Sequence, residues 1–299
     1  MIKVAVLLSF YNGHKYIDDQ IFSILNQRLY GICVDIYIRN DGSTCIDSLC
    51  KLNDIKTKHP HIRVIHGENI GVVNSFLELL EVVDGYEYYA FCDQDDYWLP
   101  NKIGRAVEKA SLDVPFLYCG KYTLVDAELE VLDSNIRVTN VIPSFQNALF
   151  KNFCTGCTCL INSKLRNEIL KINMPTSIPM HDWYLLLVAY CKGRVFYDSE
   201  SHILYRQHGS NVVGGVTNFK DKFKRYFRFI IEGNKTRSTL AEHLKSINTN
   251  QDISKFLDDL VSSEKNVVKR VKLIADKNWT YAAFLDRLSV YITVLFYRF

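Results

Sequence analysis

The segment YYAFCDQDDYWLP, residues 88–100, runs a strand-like apolar stretch, Tyr88–Cys92, straight into three carboxylates, Asp93, Asp95 and Asp96. Carboxylates this close repel one another unless a cation lies among them. Asp93 and Asp95 share one face if the strand continues, or face one ion if the backbone turns between them. A hard divalent ion, Mg2+ or Mn2+, takes a few carboxylates and leaves positions for phosphate oxygens. The same residues also suit a helix cap at Asp93 followed by solvated turn residues. Both readings stand at this point.

The elements around this cluster decide where it sits. Lys3–Leu8 reads as a buried strand, followed by the polar loop SFYNGHKY and a helix to about Asn26. Val34–Ile38 is a second strand ending at RNDGST, with a helix after it to about Lys58. Arg63–His66 is a short third strand, and the loop GENIGVVNS leads into a helix over about 72–83. Strands alternating with helical stretches of this length predict βαβ units and a mainly parallel sheet. Ligands of such sheets sit beyond the carboxyl ends of the strands. Ser9–Gly13, Arg39–Thr44 and Asp93–Asp96 all fall there, so the three loops predict one site. Neither a Walker loop nor GxGxxG occurs at the first strand–helix turn, which argues against a P-loop or a dinucleotide fingerprint.

Composition sets the outer limits. The chain has 299 residues, is 48% hydrophobic and 23% charged, and has a net charge of +3. Those values fit a folded globular chain and exclude general disorder. The first residues, MIKVAVLLSFYNG, lack a small-residue cleavage site, and no uncharged run approaches the ~20 residues of a spanning helix. The nine cysteines are odd in number and mostly in apolar surroundings, which suits reduced thiols and a cytoplasmic protein. Cys154, Cys157 and Cys159 have no second Cys or His pair at ribbon or finger spacing, which argues against structural zinc. Residues 217–299 hold 16 Lys and Arg against 9 Asp and Glu, a balance of +7, whereas residues 1–216 are at −4. The shift near GGVTN predicts a boundary at about residue 216.

Six motifs in order carry a family resemblance: LLSFYNGHKYIDDQIFSILNQ, RNDGST, FCDQDDYWLPNKI, FCTGCTCLINSKL, MHDWYLLL and YRQHGSNVVGG. Over about residues 1–215 the chain resembles a family-2 glycosyltransferase of the GT-A fold, with DQD where that family has its DxD metal motif. FCDQDDYWLPNKI and YRQHGSNVVG most resemble bacterial rhamnosyltransferases of surface-polysaccharide assembly. The resemblance implies an α/β nucleotide-sugar-binding domain over 1–216 with a C-terminal helical region over 217–299. It also implies an inverting transfer that uses Mg2+ or Mn2+. The donor would be dTDP-L-rhamnose, with a UDP-hexose or UDP-N-acetylhexosamine as the alternative. A saccharide or lipid-linked saccharide would be the acceptor. A non-catalytic nucleotide-sugar-binding protein of an assembly complex is the reading from another class; loss of Asp95 or Asp182 would favour it, and both are present.

Roles follow from the same resemblance. Ser9 and Tyr11 would face base and ribose, with Asn12 and Gly13 shaping their loop. Asp41, with Asn40 in place of the family's usual first Asp, would contact the base or ribose, although NDGS is also a good tight turn. Asp93 would lie near the ribose with Gln94 beside it. Asp95 would hold the metal, joined by His208, which follows a short strand over His202–Tyr205, and Arg206 would neutralise phosphate. Asp182 in MHDWY would be the general base, and a helix cap as well. His181, Trp183, Thr155 and Gly156 would shape the acceptor pocket. Gly209, Gly214 and Gly215 suggest a loop that closes over the donor.

Beyond the resemblance, Phe219, Phe223, Phe227 and Ile230 fall near one helical face, with Lys220, Lys224, Arg225 and Arg228 elsewhere. Residues 288–297 are uncharged, too few to span a bilayer and suited to an interface. A packed helical cap, a homodimer element and a peripheral membrane contact are the expectations for this region. The basic stretch lacks base-stacking interleaving, which argues against nucleic acid as a partner.

Overall fold

The computed structural model describes residues 1–132, 142–175, 180–208, 236–275 and 284–295. The glycines at 209, 214 and 215, the basic stretch 219–230 and the expected boundary at 216 lie outside the described residues.

The βαβ expectation holds in the first third. Strands β1 (Ile2–Phe10), β2 (Ile32–Asp41), β3 (Arg63–Gly67) and β4 (Tyr88–Cys92) alternate with helices α1 (Ile17–Leu25), α2 (Ile46–Lys58) and α3 (Gly71–Val82). The strands pair in parallel in the order β3-β2-β1-β4. The sheet then continues through β7 (Leu160–Asn162), β6 (Phe116–Val125), β8 (Arg194–Arg206) and β5 (Tyr97–Trp98). β7 runs antiparallel to β4 and β6, β8 is parallel to β6, and β5 is antiparallel to β8. An antiparallel part therefore completes a mostly parallel sheet.

β1 shows why the sheet is central. Val4, Val6 and Leu8 pack with Ile17, Ile21 and Ile24 of α1 and with Leu52 and Ile55 of α2. Ala5 and Leu7 face the opposite layer, with Phe76, Leu79 and Leu80 of α3 and Leu185 to Ala189 of α7 (His181–Lys192). Successive residues alternate between faces, so a strand covered on both sides must be apolar throughout, as KVAVLL is. The i, i+4, i+7 spacing of Ile17, Ile21 and Ile24 gives α1 its single buried stripe.

Two strands outrun the sequence expectation. β2 continues through Arg39, Asn40 and Asp41, all buried, because Arg39 pairs with Asp41 at 2.5 Å and with Glu78 at 2.9 Å. The charges neutralise one another inside rather than marking a loop. β8 has 13 residues, not the short strand expected at 202–205.

The described C-terminal helices, Thr236–Ile247, Gln251–Ser262, Val267–Ile274 and Phe284–Leu295, begin by packing on α7. Leu240, Leu244, Leu257 and Leu260 join its core cluster, Tyr184 Oη meets His243 Nε2 at 3.0 Å, and Thr249 N–H donates to Cys191 O. That matches the packed-cap expectation for these helices. Among the described residues, no helix is long and apolar enough to cross a membrane.

Candidate active site

The loops at the carboxyl ends of β1, β2 and β4 are tied together by side chains. Gln94 Oε1 accepts from Tyr11 N–H at 2.9 Å and its Nε2 donates to Tyr11 O at 3.2 Å. Gly13 backs this clasp: a Cβ there would lie 2.1 Å from Gln94 Oε1. Asn12, in the left-handed region at φ 49°, accepts from Thr44 and Cys45 N–H at 3.0 Å each, at the start of α2. Ser9 Oγ donates to Ser75 Oγ at 2.7 Å, and Tyr11 leaves its side chain 45% exposed. Of the β1 loop residues expected to bind a nucleotide, Tyr11 presents the most free surface; Asn12 and Gln94 hold the loops in shape.

Asn40 and Asp41 differ from the expectation of direct nucleotide contact. Asp41 Oδ1 accepts from Arg39 and from Ile70 N–H, and Oδ2 accepts from Gly71 N–H at the start of α3. Asn40 Oδ1 accepts from Ser43 N–H, and its amide meets His66 Nδ1 at 3.2 Å. Both are buried. The tight-turn reading describes this geometry: the pair fixes the β2 end and the α3 start.

The acidic loop holds its carboxylates in distinct settings. Asp95 Oδ2 lies 2.8 Å from His208 Nε2, whose ring packs on Tyr16 at 4.9 Å. Asp95 and His208, 113 positions apart, are thus brought together as the sequence predicts. Asp96 is buried, accepts from Arg206 N–H at 3.0 Å through Oδ1, and lies against the Cys157 thiol. Ligand atoms of Asp93, Asp96 and Cys157 all lie within 4.8 Å of one another. Burial and the charges of Asp95 and Asp182 push Asp93 up to about 7. Burial, then Asp95 and Asp93, push Asp96 well above the usual carboxylate range. Asp93 is not a helix cap, since α4 (Lys102–Lys109) begins after Asn101. A buried cation lies behind the loop: the Lys102 ammonium sits 3.6 Å above the Trp98 ring and burial lowers it to about 8. It does not relieve the front of the loop, where Asp93 remains destabilised as an anion. Carboxylates at that edge beside a histidine make a donor set that fits a divalent cation.

Arg206 corrects the phosphate expectation. Its Nε donates to Asp95 O at 2.9 Å, Nη1 donates to Ala127 O, Nη2 pairs with Asp19 at 2.8 Å, and the guanidinium lies 4.4 Å over Tyr16. At 2% exposure it is a buried clamp on the acidic loop rather than a phosphate contact.

Asp182 lies inside the first turn of α7, whose N-cap is Met180, so the cap expectation fails. Its Oδ1 accepts from Trp183 N–H at 2.6 Å and Asn152 Nδ2 at 3.1 Å, and its Oδ2 accepts from Gly156 N–H at 2.9 Å. Burial raises it to about 6 against the pull of these donors. A carboxyl near that value is a serviceable base at neutral pH. Its charge also raises Asp93, so the two carboxylates lie near enough to interact.

The neighbours of Asp182 are less exposed than expected. His181 is 3% exposed, lies against Phe76 and Phe91 at 4.3 and 5.7 Å, and is pushed down by burial to about 3. It is a neutral core residue that shapes the site from behind. A Cβ on Gly156 would lie 2.9 Å from His181 Nε2, so glycine lets this turn approach α7. Thr155 caps the turn Gly156–Thr158, and Trp183 donates Nε1 to Ala148 O at 2.6 Å. Sequence reasoning missed Asn152 and Cys157 as neighbours of the carboxylates, and Lys102 behind them. Cys157 lay inside a quoted motif; Asn152 carried no signal of its own. All nine cysteines are free thiols.

A mostly parallel sheet with a carboxylate loop at the β4 end defines a GT-A-type glycosyltransferase domain. The chain belongs to glycosyl transferase family 2, whose model matches residues 5–170. It is 28% identical over 235 residues to the dTDP-rhamnosyl transferase RfbG of Shigella flexneri, covering 72% of this chain and 76% of that protein. Among solved structures it superposes on Staphylococcus aureus TarS 1-349 in complex with UDP-GlcNAc, with TM-score 0.55, 15% identity, and 99% and 90% coverage. It also superposes on the mannosyltransferase PcManGT of Pyrobaculum calidifontis in complex with GDP-Man and Mn2+, with TM-score 0.54, 13% identity, and 98% and 86% coverage. At these identities the two structures establish the fold.

Proposed function

We propose that this glycosyltransferase transfers L-rhamnose from dTDP-L-rhamnose to a saccharide or lipid-linked saccharide of a surface polysaccharide, with inversion and with Mg2+ or Mn2+. What supports the mechanism is Asp182, buried, held by three donors and near enough to raise Asp93, together with Asp95 beside His208 in the same acidic loop as Asp93. Asp95 and His208 would hold the cation, which supplies charge to a departing nucleoside diphosphate. Asp182 takes the proton of an acceptor hydroxyl while that oxygen bonds to the anomeric carbon and the bond to the diphosphate breaks. One displacement suffices, so the configuration inverts. Tyr11 offers an exposed ring for the nucleotide, and Ser9 a hydroxyl at the loop base.

The rhamnose donor is supported by RfbG and by the resemblance of FCDQDDYWLPNKI and YRQHGSNVVG. A UDP-N-acetylhexosamine is the alternative, supported by the fold shared with TarS. Thermal melts with a panel of nucleotide sugars and Mn2+ separate them. The largest stabilisation is expected from dTDP-L-rhamnose. A larger shift with UDP-GlcNAc would replace the donor, and no shift with any would leave a fold without this function.

We also propose a peripheral contact with an anionic cytoplasmic membrane face. Val267, Val268 and Val271 are 61, 64 and 53% exposed on helix Val267–Ile274, whose sequence also carries Lys269, Arg270 and Lys272. Lys or Arg near such a surface contributes about 1 kcal/mol each. Sedimentation with anionic vesicles should detect binding that salt weakens and that Val268→Asp with Val271→Asp abolishes. A dimer in solution with no vesicle binding would make this face a homodimer contact instead.

A further inference from the structure

We propose that Asn152 is a positioning residue for the base, orienting Asp182 so that Oδ2 is the oxygen that receives the acceptor proton; this rests on the reading of Asp182 as base. Asn152 lies just beyond helix α5 (Phe145–Phe150). Its orientation is fixed at both ends. Oδ1 accepts from Cys154 N–H at 2.9 Å, which turns Nδ2 toward Asp182 Oδ1 at 3.1 Å. The backbone around it is anchored too, since Lys151 N–H donates to Asn147 O and Trp183 Nε1 donates to Ala148 O.

The three donors divide unequally between the two carboxylate oxygens. Among the described residues, Trp183 N–H and Asn152 Nδ2 both point at Oδ1, whereas Gly156 N–H is the donor from another residue at Oδ2. Oδ2 is therefore the oxygen with more lone-pair capacity left. Two of the donors are backbone groups that no substitution of a side chain removes. Asn152 is the side chain of the three, and so the one whose chemistry can be varied. Donors to a carboxylate favour its ionised form, which keeps a buried group usable as a base near neutral pH.

The titratable groups that face Asp182 come from three elements. Asp93 faces it from the loop after β4, Cys159 from the segment following Gly156–Thr158, and His181 precedes it on α7. Cys159 is pushed up and His181 down by burial, so both are neutral across the working range. Among the described residues, Asp93 is the one neighbour that titrates nearby, and it is common to every variant compared.

The test reads the carboxyl directly, without donor or acceptor. Protein labelled with 13C at aspartate Cγ is titrated by NMR, and the Asp182 resonance is identified by its loss in Asp182→Asn. In Asn152→Ala the Asp182 midpoint is expected to rise by about one pH unit, the size of one donor to a charged group. In parallel, release of nucleoside diphosphate from dTDP-L-rhamnose with water as acceptor should fall about fivefold at pH 6 and recover by about pH 8.5. Asn152→Ser, which retains a short donor, should lie between wild type and alanine, and serves if the alanine variant melts early. An unmoved Asp182 midpoint in a folded variant overturns the role of Asn152. Undiminished turnover in Asp182→Asn overturns the base reading instead, whatever the titration shows.

Discussion

Replacing Asp95 with alanine is expected to abolish sugar transfer while the protein still folds. The carboxylate meets His208 at 2.8 Å, but the loop itself is held by other bonds: Arg206 Nε to Asp95 O and Arg206 N–H to Asp96 Oδ1. Removing the side chain leaves both in place and relieves the repulsion that raises Asp93 and Asp96. Melting temperature without metal should be unchanged or higher. Activity should drop by about 10³-fold or more, because a bound cation supplies several kcal/mol at roughly 1.4 kcal/mol per decade. EDTA should silence the wild type in the same way, and Mn2+ should restore it. Full activity in chelator would sink the metal assignment.

Asp182→Asn is expected to lower turnover by about 10²-fold or more, while donor binding measured by calorimetry persists. Asparagine keeps the shape, and its one carbonyl oxygen can keep the two donors at Oδ1; its NH2 then faces Gly156 N–H, so a melting curve must first show that the variant is folded. The wild type should also show an acid limb near pH 6. Burial raises Asp182 to about 6, so the folded protein keeps it protonated below that value and the base form is lost as pH falls. The asparagine variant should lack this limb. Asp96 is a poor substitute, being 1% exposed with Oδ1 on Arg206 N–H. Unchanged turnover in Asp182→Asn would mean that another group takes the proton.

β1 and β4 were legible because Val4–Leu8 and Tyr88–Cys92 are buried throughout and therefore read as uninterrupted apolar runs, the latter with the same bounds in sequence and structure; β2 and β3, which carry Asp35, Arg63 and His66, were legible from the alternation of strands with helical stretches. The meeting of Asp95 with His208 was legible only through the ordered motifs, since spacing alone does not link residues so far apart. What stayed hidden was compensation. Arg39 and Asp41 cancel inside, with Glu78 pairing from the edge, so a buried strand end looks like a polar loop. Arg206 looks like a phosphate ligand because its partners, two carbonyls and Asp19, come from three other segments. His181 stands next to Asp182 in the chain, yet its side chain goes to Phe76 and Phe91. Asn152 could not be read at all: its role depends on a helix that starts 29 residues later.

The clasp between Gln94 and Tyr11 makes positions 13 and 94 interdependent. A methyl group at 13 would displace the Gln94 amide from its place on Tyr11, and that amide reaches Tyr11 because position 13 carries no side chain. The two positions form one heritable character with an order of change. Alanine at 13 is damaging while glutamine remains at 94, and becomes tolerable once a shorter residue has taken its place. The middle letter of D-Q-D, which looks like the free position of the motif, is in this chain bound to a glycine 81 residues earlier.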